Sequence, residues 1–198
     1  MRVRLMVLLI LMFSATATPA QVSIGTNLES YPNLVPIPVP GSPVYYAPQV
    51  ASNYFFYDGL YWVYQGDDWY ASSWYNGPWG LVARDVVPVY VLRIPVRFYR
   101  KPPAHFEGWE RNAPPQWGQH WGAGWEQQRR GWNSRDRRAA PSLAILPAYQ
   151  RKYSGDRYPQ VAEQRVLHGR KYGYQPEDAA VQEHYQQQKL LNAKGKRS

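Results

Sequence analysis

Between Tyr54 and Trp79, twelve of twenty-six residues are Phe, Tyr or Trp, and they are arranged around turn dipeptides. A short unit recurs as Tyr57-Asp58-Gly59, Tyr64-Gln65-Gly66 and Tyr75-Asn76-Gly77, each followed within a few residues by Tyr61, Trp69 or Trp79. Asp-Gly and Asn-Gly favour the positive-φ positions of tight hairpin turns. Aromatic side chains suit a pleated surface and pair well across strands. The segment predicts a meander of short antiparallel strands at 54–57, 60–65, 68–74 and 79–83. The expected fold class is α+β or mainly β: a small aromatic β-meander with short helices and long disordered flanks. The chain has no cysteine, so disulfides and a lipidated cysteine are both excluded. A few aromatic pairs, burying about 150–250 Å² per ring, can hold such a sheet without disulfides.

Strand alternation puts Tyr61 and Val63 on one face and Leu60, Trp62 and Tyr64 on the other. Both faces are apolar. Either both are covered, or one is an open aromatic platform on which Trp62, Trp69, Trp74 and Trp79 stack against sugar rings.

The flanks read differently. Arg2 and Arg4, the apolar run Leu5 to Phe13 and the small residues Ala15 to Ala20 form the three-part pattern of a secretory signal, with cleavage after Ala20 or, as the alternative, Ala17. That run is too short to span a bilayer, and no later apolar run is longer. The mature chain is therefore expected to have no membrane span. Residues 21–53 are proline-rich, with Val35-Pro36-Ile37-Pro38-Val39-Pro40 at their centre. Proline disfavours helix for itself and for the residue before it. This stretch reads as an extended strap, because a polar linker would not need the aliphatic residues. The compact unit is expected over 54–106, with Asp85 as a helix cap and a short helix ending before Pro95.

Residues 107–138 carry Trp117, Trp121, Trp125 and Trp132, which at about 100° per residue fall within about 80° of one another on a helix. Gly118, Gly122, Gly124 and Gly131 each cost a helix interior about 1 kcal/mol. The helix must then depend on docking its Trp face, either onto the aromatic sheet or onto an external surface. Residues 139–198 form a low-complexity basic tail in which 140–175 is expected to be disordered and 177–192 is a candidate short helix. Residues 21–100 hold four basic and five acidic residues, whereas 101–198 hold seventeen and nine. The positive charge lies in the second half.

Catalytic and metal signatures are missing. His105, His120, His168 and His184 show no paired ligand spacing. Asp67-Asp68 beside Gly66 reads as a hairpin turn, and no phosphate loop or nucleophile elbow is present. No catalytic residue, metal ligand or cofactor is nominated, and the chain is read as a non-enzyme. Candidate ligand-binding residues are Trp62, Trp69, Trp74, Trp79, Trp117, Trp121 and Trp125.

The Val22-Ser23-Ile24-Gly25 start, the Tyr54–Val82 aromatic block and the Trp117-Gly118-Gln119-His120-Trp121-Gly122 segment resemble uncharacterised exported proteins of Gram-negative bacteria. These are small, basic and aromatic-rich, and some carry Tyr-x-Trp-Gly-x-Trp-type repeats. The resemblance implies an envelope location, periplasmic or on the outer surface, and no known reaction. Expected partners are envelope polymers (peptidoglycan, lipopolysaccharide) or envelope proteins, with nucleic acid disfavoured by location.

Overall fold

A computed structural model describes residues 24, 27–134 and 140–194. The signal segment, most of the Val22–Gly25 start, the Arg135–Arg138 run and the last four residues lie outside them. Six strands form one antiparallel sheet in sequence order: β1 Val35–Pro36, β2 Tyr45–Tyr46, β3 Asn53–Tyr57, β4 Leu60–Gln65, β5 Asp68–Ser72 and β6 Gly80–Val82. The α+β meander is therefore observed, and β3 to β6 fall within two residues of the expected limits.

The turn chemistry explains the register. Asp58 and Gly59 (φ 49° and 88°) close β3 onto β4, while Gly66 and Asp67 (φ 60° and 68°) close β4 onto β5. Positive φ at both central residues matches the twist of the flanking strands. The second turn is shifted one residue from the Gln65-Gly66 pair. Tyr75-Asn76-Gly77 is not a hairpin tip but part of the longer connection between β5 and β6. There Gly77 has φ 83°, and a Cβ would lie 2.8 Å from the Trp79 ring, so no other residue fits without displacing the indole.

Pairing sets Phe55 against Trp62 and Trp62 against Ala71 on one face, with Tyr54 opposite Val63 on the other. Both faces are covered. Phe55, Tyr57, Leu60, Trp62, Tyr64 and Trp69 pack with Val87, Val91, Leu92, Phe106, Trp117, Trp125 and Trp132. Tyr54, Phe56, Tyr61 and Val63 pack with Ile24, Leu34, Tyr75, Trp79 and Ala144. The proline-rich segment acts as a strap: β1 and β2 extend the sheet beyond β3, and Ile37 and Val44 are buried. Pro36 is tolerated because β1 is an edge strand.

Helix α1 is Val89–Leu92, with Pro88 rather than Asp85 at its N-cap position and no side-chain cap bond. The Trp-rich segment forms two short helices, α2 Trp117–Trp121 and α3 Ala123–Gln128, separated by Gly122 at φ 90°. The glycine cost shows itself as a break, yet the Trp ladder survives it. Trp117 stacks on Trp121 at 4.3 Å, Trp121 meets Trp125 edge-on at 4.9 Å, and Trp125 meets Trp132 at 5.7 Å. The ladder docks on the chain's own sheet through Trp117, which contacts Tyr64 and Trp69.

Residues 140–175 depart from the expected disorder. They run along the second face and include α4, Val161–Lys171, before α5, Ala179–Lys194. The arm buries few aliphatic residues and is held by polar bonds instead. Gln150 is fully buried; its Oε1 accepts from the Tyr61 hydroxyl and the Tyr75 amide, and its Nε2 donates to the Ser73 carbonyl. The Tyr75 hydroxyl donates to the Tyr153 carbonyl, Tyr158 to Gly77, and the Trp74 indole to Gln164. At its end, Asp58 accepts from the Tyr174 hydroxyl and from the amides of Glu177 and Asp178, which anchors the start of α5. No described helix is long and apolar enough to cross a membrane.

Candidate functional site

Six of the seven candidate tryptophans lie inside the protein rather than on an open face. Trp62, Trp69, Trp74, Trp79, Trp117 and Trp125 are all buried. Only Trp121 is partly exposed, and it sits between Trp117 and Trp125 with the Arg84 guanidinium 5.4 Å from its ring. Six of the seven therefore offer no open ring face for a sugar to stack on. These rings cover one another and the two sheet faces, because burying them is what holds a disulfide-free sheet together.

At the β4–β5 turn, polar groups from four places in the sequence converge. Asp67 is presented by the turn itself, three residues beyond Tyr64. Its Oδ1 accepts from the Tyr64 hydroxyl at 2.7 Å and from the Trp121 indole at 3.3 Å, and it lies 2.6 Å from His120 Nε2. Its Oδ2 is paired with Arg84 at 2.7 Å. His120 comes from α2, and His105 from the 3-10 turn Ala104–Phe106. The two imidazoles stack face to face, with centroids 3.6 Å apart and planes inclined by 5°. His105 Nε2 is 3.3 Å from the Tyr64 hydroxyl. One ligand atom from each of Asp67, His105 and His120 falls within 4.8 Å of the other two, and all three residues are half-buried.

The electrostatics follow from this packing. Burial alone would raise the Asp67 carboxyl, but hydrogen bonds from Tyr64, His120 and Trp121, together with the His120 charge, hold it below the usual carboxylate range. His105 is pushed down by burial and by the neighbouring His120, against the opposing pull of Asp67. Tyr64 is pushed up by burial and by its bond to Asp67. The cluster thus sets a carboxylate favoured in its charged form beside an imidazole at His105 favoured in its neutral form, walled by Phe106, Trp109 and Trp121. These are groups able to ligate a metal ion. The histidine spacing could not show this, since Asp67 and His120 are fifty-three residues apart. The Asp-Asp turn reading located Asp67 correctly but saw only its backbone role.

A second surface feature is the arm. Arg151, Lys152, Arg157, Arg165, Arg170 and Lys171 are all exposed, and only Asp156 and Glu163 offset them between residues 140 and 175.

Comparison of the chain with protein-family profiles, with curated proteins and with solved structures returns no match.

Proposed function

We propose that this protein is an exported, non-enzymatic component of a Gram-negative envelope that binds anionic envelope polymers, lipopolysaccharide first, through the basic arm. One observation carries the reading: the six exposed Arg and Lys side chains of 140–175 ride on a segment held in place by the sheet. Preordered cations lose less freedom on binding than a floppy tail would, and arginine forks match phosphate groups in two-point contacts. With six of the seven candidate tryptophans buried, charge is the more abundant chemistry left at the surface. The signal pattern at the N-terminus supports export.

The test is binding of the full chain to lipopolysaccharide micelles across a salt series. The triple substitution Arg151→Gln, Lys152→Gln, Arg157→Gln removes three contacts of about 0.5 kcal/mol each, which is about one decade of affinity, and flattens the salt dependence. Unchanged affinity in the triple variant, or recovery of the protein in the cytoplasm after spheroplast fractionation, sinks the proposal.

A further inference from the structure

The geometry points to a metal site: Asp67, His105 and His120 bind one divalent first-row transition ion, with zinc as the reference case. Two imidazole nitrogens and one carboxylate oxygen form a three-ligand set suited to zinc, copper, nickel, cobalt or ferrous iron, and they leave a further coordination position open. Calcium and magnesium prefer all-oxygen shells and are excluded by the two imidazoles.

Three features of the site favour the ion over a purely structural network. First, the donors come from three separate elements, the β4–β5 turn, the 3-10 turn at His105 and helix α2, yet their ligand atoms lie within 4.8 Å of one another. Ligands about 2.0–2.2 Å from a common ion sit a little over 3 Å apart, so small side-chain rotations close the set. Second, Arg84 holds Oδ2 of Asp67 by an ion pair and lies beside Trp121. Oδ1 is thereby turned toward the histidines, and outer partners of this kind orient metal-ligating carboxylates. Third, two imidazoles packed in parallel 3.6 Å apart beside one carboxylate make a poor structural pairing. Only His120 has the carboxylate within hydrogen-bond reach, and His105 Nε2 faces the Tyr64 hydroxyl instead.

Loading exchanges the His120–Asp67 hydrogen bond for one bond from each residue to the ion, with each imidazole binding through an Nε2 freed of its proton, which shifts to Nδ1 or is released to solvent. His105 Nε2 turns from the Tyr64 hydroxyl to the same ion. Each nitrogen donates in its own ring plane, so the two rings must tilt away from the parallel stack. The Trp121 indole and the Tyr64 hydroxyl remain beside the carboxylate as outer partners. Phe106 and Trp109 wall the site on the His105 side and restrict exchange with solvent.

The experiment is calorimetric titration of the full chain with zinc chloride, repeated with cobalt chloride while recording its visible absorption. One saturable ion per chain is expected. His105→Ala and His120→Ala should each weaken binding by about 100-fold or more, beyond what loss of an outer-shell partner costs. His168→Ala should leave binding unchanged. Absence of saturable binding overturns the site, and so does binding that survives both substitutions. Should those variants fail to fold, X-ray absorption on the cobalt-loaded wild-type chain decides. Two imidazoles in the first shell support the site, and an all-oxygen shell refutes it.

Discussion

The aromatic sheet and the basic arm hold together by opposite means. The sheet spends its rings on one another: Trp69 alone meets Phe55, Tyr64, Tyr99 and Trp117. The arm buries little hydrocarbon of its own and is fastened by amide and phenol groups that find partners on the sheet. Tyrosine joins the two regimes, since its ring packs as a hydrophobe while its hydroxyl satisfies a backbone carbonyl. A segment too polar to form a core can therefore be ordered by a core that supplies the missing partners.

The contrast breaks most severely at the sheet. Trp69→Ala removes a fully buried indole from the centre of the ring network and should cost about 3–5 kcal/mol, read as a shift in the urea midpoint. An effect below about 1 kcal/mol would mean that the rings are loosely packed. Gln150→Ala attacks the arm. It strands the Tyr61 hydroxyl, the Tyr75 amide and the Ser73 carbonyl and should cost about 2–4 kcal/mol. Amide exchange should rise over 141–176 and stay slow over 53–72; equal acceleration in both would show that arm and sheet unfold as one unit.

The smallest effect is a pH response where the arm meets α5. His168 is lowered from 6.5 to about 4 by burial, among the rings of Tyr172 and Tyr185 and with the Tyr149 hydroxyl 3.1 Å from its Nδ1. A base with a depressed folded pKa is neutral in the folded chain and protonates first in the unfolded one. Stability is therefore complete above pH 6.5 and declines as pH falls toward 4, by up to about 3 kcal/mol. His168→Gln should flatten this limb of a pH–stability curve, and a curve unchanged by the substitution would assign the acid sensitivity elsewhere.

The hairpins were legible because their determinants are local. Asp58-Gly59 needs only its own φ preferences, and the alternation along Leu60–Tyr64 needs only a period of two. The Trp stripe was half legible: its angular clustering survives, but Gly122 breaks the helix, and a weak helix need not stay continuous when each half can dock separately. The arm was misread because composition scores hydrocarbon and ignores the chance that Gln150 or Tyr158 meets an unsatisfied group on a distant strand. The polar cluster was not legible from spacing, since His105 and His120 belong to different elements and Asp67 to a third.

By itself the sequence determined the aromatic strands, their turns, the lack of disulfides and the concentration of positive charge in the second half. Each of these depends on residue identity or on neighbours a few positions away. Tertiary structure decided that both sheet faces are covered, that the arm is ordered, and that a turn aspartate meets two histidines. Those outcomes require groups far apart in the chain to arrive together, and the arrival is driven by burying rings that carry no label for the partner they will meet.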